Sequence, residues 1–367
     1  MSPQIQIQLI AAIVAAASAL LGVFLVLRRM SLMSDAISHS ILLGIVIGFF
    51  VAGTTDSPLL ILTATLAGVL TVVLVELLLQ TRLFKEDAAI GLVFPVLFSI
   101  GVILISTQAR DVHIDTDAVL LGELAFAPFN RVSILGLDLP RGLAVMSVIL
   151  LLNLILVSTF YKELKIATFD PALAAALGIS PLILHYGLMT AVSVTAVGAF
   201  DHVGAILVVA LMIAPASTAY LLTDRLGHML ILSVGIGVAS AISGYWVARA
   251  IDINIAATMA SMTGVFFLLA FLFAPQQGYV ARQFLRRRRR ERFAIEILLV
   301  HLCRHEGSPD ESHENTLRHL TDELNWKPKF ADDTLRRAES SHWVERRAEL
   351  LVPTADGRNL AQEVLSR

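Results

Sequence analysis

The segment Asp35-Ala-Ile-Ser-His39 places a carboxylate and an imidazole four positions apart inside an apolar stretch. On a helix, residues i and i+4 share a face, so one oxygen and one nitrogen donor can close on a single divalent cation. The same spacing also lets Asp35 fix the tautomer of His39 by a hydrogen bond, and spacing alone leaves both readings open. A second group is Asp111-Val-His113-Ile-Asp115-Thr-Asp117, followed by Glu123. It reads either as a funnel that attracts cations or as a solvated acidic loop. His202 stands beside Asp201, but adjacent helical residues point in different directions, so it is a weaker candidate ligand. Glu76, Asn153, His185 and Met212 read as structural. Glu76 would snorkel near a span end, Asn153 and His185 would be satisfied by backbone carbonyls, and Met212 would be core.

The chain has no G-x-x-x-x-G-K-[ST] segment to cradle nucleotide phosphates, and no H-E-x-x-H or G-x-S-x-G. The sequence therefore offers no catalytic residue and no permanently bound cofactor, and energy for any work must come from a partner. The lone Cys303 excludes an intramolecular disulfide and any cysteine-built zinc or iron-sulfur cluster.

The elements that must carry these residues are membrane helices. The 367 residues are 56% hydrophobic and 16% charged, with a mean hydropathy of +0.75, far more apolar than a soluble domain. Residues 1–285 hold 12 Lys/Arg and 15 Asp/Glu, whereas residues 286–367 hold 16 and 15, so a greasy body is joined to a charged tail. About 20 apolar residues are needed to cross a hydrocarbon core. Nine candidate spans satisfy this, at 9–27, 35–50, 58–79, 88–106, 143–160, 181–197, 203–222, 229–248 and 255–273. If nine spans alternate, Arg28, Arg29, Arg82, Lys85, Lys162, Lys165, Arg225 and the arginine run 286–290 fall on one side. The positive-inside rule makes that side the cytoplasm, with the N-terminus outside and the tail inside. Gly44 and Gly48, like Gly235 and Gly237, read as close helix contacts. The expected fold is an all-α polytopic membrane protein with about nine transmembrane helices over residues 1–285, a basic linker at 286–290, and a small cytoplasmic domain at 291–367.

Four segments, in order, resemble the membrane permeases of the manganese, zinc and iron importers of the ABC class. They are Leu27-Arg-Arg-Met-Ser-Leu-Met-Ser-Asp-Ala-Ile-Ser-His-Ser-Ile-Leu-Leu-Gly44, Asp117-Ala-Val-Leu-Leu-Gly-Glu-Leu-Ala-Phe126, Phe169-Asp-Pro-Ala-Leu-Ala-Ala-Ala-Leu-Gly178, and Val203-Gly-Ala-Ile-Leu-Val-Val-Ala-Leu-Met-Ile-Ala-Pro-Ala-Ser-Thr-Ala219. The resemblance covers roughly residues 10–275. It implies that Asp35 and His39 bind metal in the translocation path. It also implies that Asp170, Pro171, Ala174, Ala175 and Gly178 belong to a coupling helix that docks on a separate ATPase. An Asp-Pro start, an alanine run and a closing glycine suit a short rigid helix. Ser34 departs from the glycine that the family often has there, which bears on local packing. The segment from Val112 to Glu123, including His113, Asp115, Asp117 and Glu123, looks most like the manganese-leaning members, so Mn²⁺ is favoured as cargo over Zn²⁺ or Fe²⁺. The implied partners are a cytoplasmic ABC ATPase that alone binds ATP, an extracytoplasmic metal-binding protein, a second identical or homologous permease, and the lipid of a bacterial inner membrane.

In the tail, Phe293, Ile297, Leu298 and Val300 suggest one helix, Leu317, Leu320 and Leu324 a second, and residues 330–338 a third. A β-prone pair around Trp343-Val344 and Leu350-Leu351-Val352 then precedes a capped helix from Thr354. This is the winged-helix order, and the tail resembles the corresponding part of metal-dependent repressors. Residues 291–367 carry 11 basic and 15 acidic side chains, a net of −4 that opposes phosphate contact, so DNA is not an expected partner. His301, His305, Glu306, His313 and His319 read either as a metal sensor or as a charged helical surface. The leading function is the permease of a divalent-metal importer, not an enzyme. The alternatives are a membrane-bound metal sensor acting through the tail and a permease for a metal chelate.

Overall fold

The computed structural model describes residues 2–54, 57–108, 122, 124–134, 137–275, 277–347 and 349–366. Two compact units divide at Gly278 and Tyr279. Helices α1 (Pro3–Leu27), α2 (Ser31–Ala52), α3 (Pro58–Gln80) and α4 (Glu86–Gln108) open the first unit. A short hairpin of β1 (Arg131–Ile134) and β2 (Leu137–Pro140) follows. The unit continues with α5 (Arg141–Thr159), α6 (Tyr161–Phe169), α7 (Pro171–Ala176), α8 (Pro181–Leu222), α9 (Leu226–Ile251) and α10 (Ile255–Phe273). Eight of these helices are long and apolar enough to cross a membrane.

The longest of the eight is two helical stretches joined at a kink. In an unbroken helix His185 and Met212 of α8, 27 positions apart, would stand about 40 Å from each other. Both lie against a short stretch of α1. Arg28 Nη1 is 3.5 Å from His185 Nδ1, and a Cβ added to Gly22 would meet the Met212 carbonyl oxygen at 1.7 Å. Gly22 and Arg28 are only about 9 Å apart along a helical rise, so α8 must double back between its ends. The reversal falls at Gly204, whose φ of 74° and ψ of 167° are not helical and are essentially open to glycine alone. Gly122 (φ +68°) packs against this corner, and a Cβ on it would come within 2.4 Å of the Gly204 nitrogen. The sequence reading expects nine spans with a break between 197 and 203; the structure has eight helices of spanning length and puts the break inside α8, at Gly204.

Helix α1 is the axis of the bundle, with 78% of its apolar window buried, whereas α4, α5 and α10 each bury 28% of theirs. Its small residues, Ala11, Ala15 and Ala17, are fully buried, and they let α8 and α9 approach closely. Helix α2 packs against both α3 and α4. A Cβ on Gly44 would lie 2.5 Å from Ala64 Cα, and one on Gly48 would lie 2.3 Å from Thr63 Oγ1. These two glycines are therefore the close α2/α3 contacts their spacing suggests. Several polar side chains inside the bundle are bonded across helices. Asn153 Nδ2 donates to Thr195 Oγ1 at 2.8 Å and to the Ala17 carbonyl at 3.4 Å, and Ser233 donates to the Ala19 carbonyl at 3.1 Å.

The second unit is built from α11 (Tyr279–His305), α12 (Glu311–Glu314), α13 (Leu317–Glu323), α14 (Pro328–Ser340), the antiparallel pair β3 (Val344–Arg347) and β4 (Leu350–Pro353), and α15 (Ala355–Leu365). Its core is Ile295, Leu298, Leu299, Leu302, Leu335, Ala338, Val344, Leu351 and Ala361. The order of helices, hairpin and capped helix follows the sequence reading, and Thr354 Oγ1 accepts the Gly357 amide at 3.1 Å as its N-cap. The arginine run at 286–290 is not a separate linker. It lies within α11, because no glycine or proline interrupts residues 279–305 and arginine is a good helix former.

Replacing Gly204 by alanine should destabilise the purified chain by about 1–3 kcal/mol or more, because the residue cannot adopt that backbone region without strain. Gly187→Ala on the same helix, where a Cβ meets nothing within 4 Å, should be neutral or slightly stabilising. Thermal unfolding in detergent checks the pair, and equal melting temperatures would contradict a required reversal at Gly204.

Candidate metal path

Three serines make the first turns of α2 polar, yet each is satisfied within its own helix. Ser34 donates to the Ser31 carbonyl at 3.1 Å, Ser38 to Ser34 at 2.8 Å and Ser40 to Ala36 at 2.8 Å, the back-bonding that such residues adopt in helix interiors. Asp35 and His39 are left with unused donor capacity. His39 Nε2 stands 3.4 Å from Asp35 Oδ1, and the side chains are 32% and 43% exposed respectively. The expected common face is therefore real, and the pair is held without being sealed in. Phe94 of α4 stacks on the imidazole with centroids 5.6 Å apart, and Phe98 meets it edge-on at 5.9 Å. Two aromatic rings thus fix the imidazole plane while leaving one flank of the pair open.

Among the described residues, no group of three His, Cys, Asp or Glu donors includes Asp35 and His39. His202 is 6% exposed and lies 3.9 Å from Asp201, whose side chain is 71% exposed, so the two neighbours diverge as adjacent helical residues should. The His202 ring is packed where a Cβ on Gly142, near the start of α5, would come within about 3 Å of it. His113, Asp115, Asp117 and Glu123 lie outside the described residues.

The α6–α7 turn is built as its sequence suggests. Asp170 Oδ1 accepts the Leu173 amide at 2.9 Å, and Pro171 occupies the first helical position. Gly178 (φ +80°) closes the helix, with its amide on the Ala175 carbonyl at 3.0 Å and the Ile179 amide on Ala174 at 3.0 Å. Ala174 is buried and Ala175 exposed. Phe169, Leu173, Leu177 and Ile183 are 49–73% exposed, so this turn presents an apolar face with a rigid backbone behind it.

Beside that turn is a polar cluster that the sequence reading did not assemble. Arg28 Nε donates to Thr168 Oγ1 at 3.2 Å, and its Nη1 faces His185. His185 Nε2 lies 2.8 Å from Glu76 Oε1, and the Tyr186 hydroxyl donates to Glu76. Glu76 is thus not a lone snorkelling carboxylate, nor is His185 satisfied by a backbone carbonyl. They face each other at 2.8 Å between α3 and α8. A cavity of about 360 Å³, lined by Arg28, Arg29, Thr168, Pro171, Pro181 and His185 among others, opens next to them. The signal in the sequence was complementary charge in different spans, which one sequence without a fold cannot pair.

Residues 3–274 match the model of the ABC 3 transport family. The chain is similar to the "Zinc transport system membrane protein TroD" of Treponema pallidum, 49% identical over 97% of both chains. It is also similar to the "Manganese transport system membrane protein MntD" of Bacillus subtilis, 48% identical over 72% of this chain and 90% of that one. Among solved structures it resembles PsaBC from Streptococcus pneumoniae in complex with Fab, with a TM-score of 0.64, 28% identity, and coverage of 77% of this chain and 96% of that chain. The first relative extends through the second unit, whereas the manganese relative and the solved structure match a length close to that of the bundle alone.

Removing one member of the Glu76–His185 pair should cost more than removing both, because the remaining charge is left in a low-dielectric site. Glu76→Leu and His185→Leu, alone and together, should give a coupling energy of about 0.5–3 kcal/mol in a thermal-unfolding cycle. Strict additivity would show that the two do not interact.

Proposed function

The chain belongs to the ABC 3 transport family, and from that premise we propose that it carries a divalent transition-metal ion across the cell membrane, with Asp35 and His39 as ligands in the path. It is a metal-importer permease, a multi-span subunit and not an enzyme; ATP is hydrolysed by a separate subunit. The observation that carries the reading is the pair itself. One carboxylate and one imidazole share a face of α2, a helix long and apolar enough to cross a membrane, held 3.4 Å apart and partly open. An ionisable pair is costly in that setting unless it is bound or hydrated. Two donors leave a four- or six-coordinate ion incompletely held. The open flank therefore suits a second copy or homologue of this permease, water, or His113, Asp115, Asp117 and Glu123 as the further donors. His202, packed near the start of α5, is a weaker candidate.

Manganese and zinc are both carried in the names of close relatives. The donor set contains no thiolate, which is compatible with either ion and with Fe²⁺. The cargo is the only metal this reading requires, since no resident cofactor enters the mechanism. We place α7, from Asp170 and Pro171 through Ala174 and Ala175 to the turn at Gly178, on the ATPase subunit. Its capped backbone and exposed leucines support a helix that transmits force to α6 and α8. With α8 doubled back, nine crossings put Arg28, Arg82, Lys85, Lys162, Lys165 and Arg225 on one side, which supports an N-terminus outside and a tail in the cytoplasm. An outside metal-binding protein would then deliver the ion to the opposite end. The tail is read as a regulatory module of winged-helix type whose charge disfavours DNA.

Uptake into vesicles holding the cognate ATPase and binding protein tests the reading with manganese, zinc and iron in turn. Asp35→Asn and His39→Ala should each lower uptake at least about tenfold while the assembled complex is recovered in normal yield. Undiminished uptake in both variants would make the pair structural. Preference for a chelate over the free ion would favour the chelate permease, and loss of all uptake on deleting residues 291–367 would favour the sensor.

A further inference from the structure

The second unit gathers four imidazoles and a carboxylate from three helices. His301 and His305 lie one turn apart on α11, His313 and Glu314 on α12, and His319 on α13. Glu314 is the hub. Its Oε2 is 2.7 Å from His319 Nε2 and 4.0 Å from His301 Nε2. The ring centroids of His301 and His305 are 4.7 Å apart, those of His313 and His319 4.8 Å, and those of His301 and His319 6.3 Å. Two triads, His301/His305/Glu314 and His313/Glu314/His319, each bring one ligand atom per residue within 4.8 Å of the others. Around a tetrahedral ion with bonds near 2.0–2.1 Å the donors stand about 3.3 Å apart, so small rotamer changes close either set. Glu306, grouped with these histidines on sequence grounds, is committed elsewhere, because both of its oxygens accept from Arg358 at 2.7–3.1 Å.

The backbone behind the hub is fixed. Asn315 is fully buried, donates through Nδ2 to the Leu302 carbonyl at 3.3 Å, and accepts the Leu351 amide at its own carbonyl at 2.8 Å. Thr316 forms an isolated bridge with Leu350. Glu314 is thus held one residue from a junction that ties α11 to β4, and the cluster is more than a chance meeting of mobile side chains.

We propose that His301, His305, His313, Glu314 and His319 form a binding site for a late first-row divalent ion such as Zn²⁺ or Co²⁺ in the second unit, separate from the Asp35–His39 pair. Imidazole-rich sets of this kind suit zinc, copper, nickel and iron better than manganese. Bound metal cross-links α11, α12 and α13 and, through Asn315, steadies the β3–β4 hairpin. Occupancy of the site therefore reports the ion concentration in the compartment that the unit faces. The binding claim stands without the transport reading.

The test uses the untagged full-length chain in detergent, carrying Asp35→Asn and His39→Ala so that the spanning pair contributes nothing. Titration with Co²⁺ should produce the strong visible d–d bands of a four-coordinate nitrogen and oxygen site, saturating at one or two equivalents and bleached by Zn²⁺. Adding Glu314→Gln should weaken Co²⁺ binding by more than about tenfold without lowering the melting temperature of the metal-free protein. Should that variant unfold, His305→Ala with His313→Ala removes one donor from each triad and should give the same loss. Absence of the bands in the starting protein, or bands unchanged in folded variants, would overturn the site.

Discussion

A hydrocarbon surrounding offers no partner to a polar atom, and this constraint organises the first unit. Many serine and threonine hydroxyls along the spans, Ser38, Ser40, Thr63, Thr71 and Thr218 among them, return to carbonyls three or four residues back. Asn153 finds Thr195, and Glu76 finds His185 and Tyr186. Once those pairings are made, Asp35 and His39 stand out as a pair that faces an opening while its backbone remains packed. Their functional meaning comes from that contrast, since a charged pair in a generally polar helix would signify little.

Holding such a pair in place requires a helix that cannot slide. Helix α2 lies against α3 through Gly44 and Gly48 and meets α4 at Gly101, where a Cβ would come 3.1 Å from the Leu43 amide. Phe94 and Phe98 on α4 then reach the imidazole from the side. Small residues on two helices thus set the spacing at which aromatic residues on one of them can touch the Asp35–His39 pair. The corner at Gly204 does the equivalent for α8. By folding back, it puts His185 at one end of α1 and Met212 beside Gly22, so both halves of one long apolar run line the same axis.

Hydropathy made nearly all of the spans legible, because a membrane helix must be apolar along its whole length. It even placed a break between 197 and 203, close to the corner at Gly204. The i, i+4 spacing of Asp35 and His39 was equally legible, since helical period alone puts them together. What sequence could not supply was pairing between elements: Glu76 with His185, or Glu314 with two histidines from one helix and one from another. Those contacts depend on long-range packing that leaves no periodic trace. The arginine run illustrates a different limit. A block of five like charges reads as a linker on composition, yet arginine's helix propensity and the absence of glycine or proline carry α11 straight through it.

The two donor sets differ in a way that bears on metal choice. Affinity for a given nitrogen and oxygen site rises from manganese towards copper, with zinc also above manganese. A path built only to bind tightly would therefore fill with zinc and release it slowly. On the proposed reading, Asp35 and His39 would supply two donors and leave the rest of the coordination sphere to water or to groups from outside α2, a weak grip that suits transit and would accept manganese where it is abundant. Four imidazoles around Glu314 would make the opposite compromise, with more nitrogen donors, a tethered backbone and a preference for the ions that bind nitrogen best. On these two proposals, a chain with both sets would move one class of ion loosely while retaining another tightly. On that reading, ligand number and type, more than the presence of a particular residue, would separate a conduit from a sensor.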